Sequence, residues 1–271
     1  RTGGSSPESP VWRQPVLLVT RVGGRELVAA ACERSLAAGV RIGMDVSNAK
    51  ALMPSGDVCT LAHRPERDAA ALTALACWMN RYAPVVAPDP PDGLLMDVSG
   101  TQRLYRGESK LLGVISAALS WLGVRSRLAL ASTFGCAWAV AHYGGGLAMA
   151  VPEGMERQAL RALPVRALRV DQEVADGLAE VGVTTIGELL EVPRSSLPSR
   201  FGAGLLLRLD QALGNAIEMI EPVRPQPPMR VELEFDGPTA QYEAVEMASR
   251  ELISGLCAEL ARQERGVRRM E

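Results

Sequence analysis

An α+β architecture in successive parts is expected from this sequence, on three observations. Strand-like and helix-like segments interleave up to about residue 163, with no glycine-rich phosphate loop among them. From Pro164 the texture changes to four short helical pieces punctuated by glycine and proline. Four prolines within Glu221–Pro228 then form a semi-rigid tether before a strand-like run and a long amphipathic helix.

After a start that reads as disordered over residues 1–15, Val16–Thr20 is a short aliphatic run between Pro15 and Gly23-Gly24, expected as a buried strand. Glu26–Ala31 should pair with it as a hairpin. Ser47 stands where an N-cap would open a short helix that stops at Pro54, and Arg64–Tyr82 carries Leu72, Leu75, Trp78 and Met79 at helical spacing. Val85-Val86 and Leu94–Val98 are expected strands, Glu108–Leu122 a helix, Arg127–Ala131 a strand and Phe134–Tyr143 a helix. Gly144-Gly145-Gly146 follows a helix instead of opening one, so it is a turn and not a nucleotide cradle. The four later helices are Gln172–Glu180, Thr185–Glu191, Arg194–Arg200 and Leu205–Leu213. Met229–Phe235 alternates like a strand, and Ala244–Arg262 places Leu252, Leu256 and Leu260 on one helix face.

The composition excludes several classes of protein. With 271 residues and 47% hydrophobic content the chain can bury more than one core, and no apolar run approaches the length of a membrane helix. Arg1–Pro10 is polar and turn-rich, not signal-like, so a cytoplasmic home is expected. Because the chain opens on Arg1 and stops at Glu271 on a basic, strand-like run, it reads as a fragment. The 5 cysteines, Cys32, Cys59, Cys77, Cys136 and Cys257, are scattered, odd in number and never spaced as CxxC, which favours buried free thiols over disulfides or zinc. A net charge of −2 does not advertise a nucleic-acid protein, so any such argument must be local. His63 and His142 have no partner at ligand spacing, Trp78 and Trp138 read as core, and Arg262–Arg269 reads as a solvated face.

Four landmarks occur in order. Val28–Arg34 leads into Ala38-Gly39-Val40-Arg41-Ile42-Gly43-Met44; Tyr82-Ala83-Pro84 precedes Pro91-Asp92-Gly93-Leu94-Leu95-Met96-Asp97-Val98-Ser99-Gly100; Leu130-Ala131-Ser132 precedes the helix Cys136–Tyr143; and Leu163–Gly214 carries Gly182–Leu189 and Arg200-Phe201-Gly202. In this order and spacing they resemble the Y family of DNA polymerases (UmuC/DinB-like) over nearly the whole chain, and within it the catalytically degenerate ImuB-type mutasome proteins. The resemblance implies palm and fingers over 16–163 with a ferredoxin-like palm sheet, a helix-hairpin-helix thumb over 164–220, a linker at 221–228 and an incomplete little finger over 229–271.

Phosphoryl transfer at a primer end needs two divalent ions held by clustered carboxylates. By the resemblance, Asp92 matches the Asp of the family's catalytic Asp-Glu pair, Gly93 replaces the Glu, and the first-strand Asp has no counterpart within residues 1–271. Asp97 is no substitute, since an odd offset along a strand would point it away from Asp92. The family's Tyr and Arg on the incoming triphosphate fall at Glu33 and Leu36, and its lysines at Ala137 and Ala141. Metal ligands and phosphate cations are thus lost together, so no catalytic residue, no metal and no cofactor is expected; Asp92 and Gly93 are vestigial.

Helix-hairpin-helix elements hold phosphates by backbone N–H groups at a glycine turn and need little net charge. The first hairpin turn falls at Arg169-Val170-Asp171-Gln172, which lacks glycine and carries a repulsive Asp171, so DNA contact is expected through Thr184, Arg200, Gly202, Gly204 and Arg208. What the resemblance implies is a non-catalytic DNA-binding adaptor in damage-induced mutagenesis and translesion synthesis. Its expected partners are primer-template DNA, the sliding clamp, an error-prone replicative-type polymerase and a RecA-like accessory protein, in the nucleoid. Two alternatives remain: an active lesion-bypass polymerase that uses Mg2+ through Asp92, and an interaction scaffold that does not touch DNA.

Overall fold

A computed structural model describes residues 14–53, 58–224, 230–264 and 266. The chain divides into two compact units at Val223/Arg224. Of the sequence-based expectations, the segment 1–13, most of the proline run and most of the Arg262–Arg269 cluster fall outside the described residues.

The first unit opens with β1 (Val16–Val22) and β2 (Arg25–Ala31), an antiparallel hairpin turned at Gly23-Gly24, with Val22 opposite Arg25. β3 (Cys59–Ala62) adds to the other edge of β1 in parallel, giving the order β2-β1-β3. α1 (Glu33–Ala37) and α2 (Val46–Ala51) close a core of Leu17, Val28, Val40, Val46, Ala49 and Met53. The cap of α2 is Asp45, not Ser47: the Asp45 carboxylate accepts the Ser47 N–H at 3.0 Å, which a hydroxyl inside the first turn cannot do. β3 escaped the sequence reading because its four residues are largely exposed and carry no alternation.

α3 (Pro65–Met79) starts with proline in its first turn, where a missing N–H costs nothing. It packs with α4 (Glu108–Trp121) around Ala76, Met79, Val86, Leu111, Ile115 and Leu119. Beneath them lie β4 (Val85–Asp89) and β5 (Gly93–Asp97), an antiparallel hairpin in which Asp89 pairs with Gly93 and Val85 with Asp97. β6 (Leu128–Leu130), α5 (Phe134–Tyr143) and β7 (Ala148–Ala150) follow, β6 and β7 pairing in parallel.

These two pairs do not join into one sheet. A cavity of about 960 Å³ is walled by the consecutive residues Gly93–Val98 on one side and Leu128–Ala131 on the other. Consecutive lining, where a strand's face would offer alternate residues, means that the unpaired edges of β5 and β6 border the cavity.

The helical region comprises α6 (Glu156–Leu160), a 3₁₀ turn (Val165–Leu168), α7 (Gln172–Glu180), α8 (Ile186–Glu191), α9 (Leu197–Phe201) and α10 (Ala203–Leu213). Its core of Leu160, Leu168, Leu178, Ile186, Leu189, Leu197, Leu205 and Leu209 also contains Cys136, Ala139 and Val140 of α5. A sequence boundary at 163/164 therefore does not separate two cores. Thr133 fixes the junction: its hydroxyl oxygen accepts the Cys136 N–H at 3.0 Å and donates to the Ala212 carbonyl at 2.9 Å.

In the second unit α11 (Tyr242–Arg262) carries Leu252, Leu256 and Leu260 half-buried on one face. The strand expected at Met229–Phe235 is not formed over the described residues 230–235. No other strand is described in this unit to pair with, and a lone strand leaves its backbone groups unsatisfied. Val231 packs instead within reach of Gly255 on α11.

All five cysteines are free, but only Cys136 is buried; Cys257 is exposed because helical spacing sets it beside the leucine row of α11. Burial, with Glu156 nearby, pushes the Cys136 thiol up to about 12. Burial also works to raise Cys32, but hydrogen bonds from Ser35 and neighbouring backbone groups outweigh it and bring that thiol down to about 7. Among the described residues no helix is long and apolar enough to cross a membrane.

Candidate functional site

β4 and β5 are joined by Pro90-Pro91-Asp92, so Asp92 sits in an exposed turn and not on the strand. Contrary to expectation, strand alternation therefore does not relate Asp97 to Asp92. The two carboxylates lie at opposite ends of β5, roughly 13 Å or more apart at strand rise. Asp97 is engaged in its own turn, accepting the Ser99 N–H at 2.9 Å.

Gly93 has a steric reason. A Cβ there would stand 3.0 Å from the Asp89 carbonyl oxygen and 3.1 Å from its Oδ2, so a side chain fits only if Asp89 shifts by a few tenths of an ångström. Asp89, which the sequence reading passed over, is the carboxylate that counts at this end of the hairpin. Its Oδ2 accepts the Trp138 indole N–H at 2.7 Å. The signal was an Asp five residues after Tyr82-Ala83-Pro84, too common a pattern to single out.

Trp138 is not core. It is half-buried on α5, stacked on His142 with ring centroids 3.8 Å apart, and the Arg169 guanidinium carbon lies 5.6 Å from its centroid. His142 itself is exposed in the last turn of α5, its Nδ1 2.9 Å from the Trp138 carbonyl oxygen. Trp78 does pack in the core of α3, edge-on to Tyr82 at 5.8 Å.

Asp89, Asp92, Gly93, Ala137, Ala141 and Trp138 all line the same cavity, so the structure brings together the hairpin and α5 positions singled out from sequence. Glu33 and Leu36 are exposed on α1 and are not among its walls. The residues present do not fit a two-metal site. Asp89 is bonded to an indole, Asp92 projects from a turn, Gly93 has no side chain, and among the described residues no three His, Cys, Asp or Glu side chains cluster as metal ligands.

The five phosphate candidates separate into two groups. Thr184 is already committed: its N–H and hydroxyl donate to Glu188 Oε2 at 2.8 and 3.0 Å, and the Thr185 N–H does so at 2.9 Å. The chain's own carboxylate thus takes the donors a phosphate would use. Arg208 is turned inward, donating to Glu218 at 3.2 Å and Gln211 at 3.3 Å. Arg200, Gly202 and Gly204 remain together and exposed at the start of α10, where Gly202 has φ +79° and neither glycine is shielded. Arg200 lies over Phe201 and, among the described residues, is in no ion pair, whereas Arg194, Arg161 and Arg166 are neutralised by Asp210, Glu191 and Asp176.

The backbone N–H of Thr184, helped by that of Thr185 and the Thr184 hydroxyl, lowers the Glu188 carboxyl from 4.5 to about 2. A depressed folded value stabilises the fold above the unfolded value, and that contribution is lost as pH falls from about 4.5 through about 2. Glu188→Gln should therefore be less stable than the parent at pH 7 and converge with it near pH 2. Thermal denaturation across that range checks this; parallel curves would refute it.

Comparison with known proteins places this geometry. Residues 8–142 match the impB/mucB/samB family model. The protein ImuB from two strains of Caulobacter vibrioides is 39% identical over 233 residues, 86% of this chain and 50% of those proteins. The chain thus spans about half the length of these relatives. Among solved structures, DinB from Sulfolobus solfataricus superposes with a TM-score of 0.61 at 17% identity, covering 79% of this chain and 64% of that one. An insertion ternary complex of Dbh DNA polymerase gives 0.64 at 19%, with the same coverage. At these identities the likeness establishes the fold, the mixed α+β fold of Y-family polymerases. Through residues 8–142 the chain belongs to the impB/mucB/samB family.

Proposed function

We propose that this chain is part of a non-catalytic DNA-binding adaptor in DNA damage-induced mutagenesis and translesion synthesis. The observation that carries the reading is the state of the β4–β5 hairpin: Gly93 brings no carboxylate and is held against Asp89, and one oxygen of the Asp89 carboxylate is taken by the Trp138 indole N–H. Two divalent ions need several converging carboxylates free to bind them, and this hairpin does not supply them. The kinship with ImuB supports a role in mutagenesis. The exposed turn at Arg200, Gly202 and Gly204 supports DNA contact through backbone N–H groups and one unpaired guanidinium. Thr184 and Arg208 are not part of that contact. The proposed protein partners are the sliding clamp, an error-prone polymerase and a RecA-like protein, with the nucleoid as their common location.

A scaffold that never touches DNA is the second reading, favoured by the arginines already spent on carboxylates. Full-length natural protein tested for primer extension in magnesium and manganese, beside Asp92→Ala and a gel-shift control, separates these readings. Binding without extension is expected. Extension abolished by Asp92→Ala would establish an active polymerase, and no binding at low salt would favour the scaffold. Arg200→Ala should weaken binding and reduce the salt slope by about 1, since one phosphate contact is lost.

A further inference from the structure

Residues Asn215–Val223 leave α10 and return across the first unit. At one end, the Glu218 side chain is 9% exposed and accepts from Arg169 at 2.7 Å and from Arg208 at 3.2 Å. At the other, the Val223 N–H donates to the Val86 carbonyl at 2.8 Å, attaching the segment to β4. On either side of Glu218, Ile217 and Met219 are each 86% exposed, whereas Ile220 and Val223 are half-buried, Val223 against the core of α3 and α4. Ala216, Ile217 and Glu218 form part of the cavity wall.

The residue that grips Glu218 is itself held under strain. Arg169 has φ +58°, a left-handed conformation disfavoured for a residue with a side chain. Its Nε is buried with no hydrogen-bond partner. Two unfavourable features at one residue persist only where neighbours over-determine its position, and here those neighbours are Glu218 and the Trp138 ring. Trp138 in turn is tied to Asp89, so the grip runs from the hairpin through α5 and Arg169 to Glu218.

We propose that Asn215–Val223 is a strap over the rim of the cavity between β5 and β6, closed by Glu218 on Arg169 and Arg208 and able to open when Glu218 is released. Opening would uncover the apolar wall formed by Leu94, Met96, Leu128 and Leu130. Lifting the segment costs no buried hydrophobic contact at Ile217 or Met219, so its closure rests on the Glu218 ion pairs, the half-buried Ile220 and the attachment of Val223 to β4. The strap does not depend on DNA binding, so it stands or falls apart from the adaptor reading.

Hydrogen–deuterium exchange of the full chain tests it, with Glu218→Gln and Arg169→Gly as variants and Arg169→Lys as the charge-preserving control. Arg169→Gly also removes the backbone strain, so a merely tolerated Arg169 would leave that variant as protected as the parent, or more so. The expected result is exchange at least about tenfold faster at residues 216–223 in Glu218→Gln and Arg169→Gly, with α3 and α4 unchanged and Arg169→Lys close to the parent. Binding of an apolar fluorescent dye should rise in the same two variants. Unchanged exchange in both would overturn the strap. So would acceleration spread evenly through the unit, because the ion pairs would then hold the whole body and not one segment.

Discussion

Gly93→Glu, which puts back the missing carboxylate, is expected to leave primer extension absent and to destabilise the protein. The new Cβ would meet the Asp89 carbonyl at 3.0 Å and its carboxylate at 3.1 Å, tight enough that Asp89 must shift by a few tenths of an ångström. That shift strains the bond Asp89 accepts from the Trp138 N–H at 2.7 Å. Overpacking of this kind costs about 1–3 kcal/mol, and a second carboxylate against the first adds repulsion. Combining Gly93→Glu with Asp89→Ala should recover part of that stability and still give no synthesis. Chemical denaturation beside the extension assay checks both claims. Synthesis restored by Gly93→Glu at unchanged stability would mean that the hairpin is poised for metal after all.

The larger stability effect is expected at the junction of α5 and α10. Gly135 is buried, and a Cβ there would stand 2.9 Å from Ala212 Cα and 3.0 Å from its nitrogen, both backbone atoms. Replacing glycine by alanine in a helix gains up to about 1 kcal/mol of propensity, which the clash offsets. Valine has less helix propensity and adds two methyl groups where there is no room for one. Gly135→Val is therefore expected to cost on the order of 3 kcal/mol, and Gly135→Ala less. The loss should fall on the helices from Glu156 to Leu213, because α5 is part of their core. Denaturant titration reads it; a Gly135→Val protein as stable as the parent would show that α5 and α10 can separate freely.

Much of the fold was legible in the sequence because its elements announce themselves locally. α7 was placed at its observed bounds, and α5 began at the expected Phe134, where Thr133 provides the cap. What escaped was short or non-local. β3 and β7 are four and three residues long and exist only by pairing with distant strands. The expected strand at 229–235 had the alternation but no described neighbour to pair with.

The site divides the same way. Asp92, Gly93, Ala137 and Ala141 do border one cavity. The contacts that decide the local chemistry, Trp138 with Asp89 and Glu218 with Arg169, each join residues 49 apart in the chain, and no spacing rule could have paired them. Thr184 and Arg208 looked free in sequence because their partners, Glu188 and Glu218, were not visible as partners.

The bond from Thr133 to Ala212 spans 79 positions, and this sets an order of events for a growing chain. A closure of that length costs little at equilibrium, since each doubling of a loop adds only about 0.6 kcal/mol. Its effect is on timing. At roughly 5–20 residues per second of synthesis, α5 must wait on the order of ten seconds for the helix it packs against. During that interval Cys136, Ala139 and Val140 can pack only on the parts of their core already made, such as Leu160, Val165 and Leu168, and that core is completed only when Leu205, Leu209 and Ala212 of the last helix arrive.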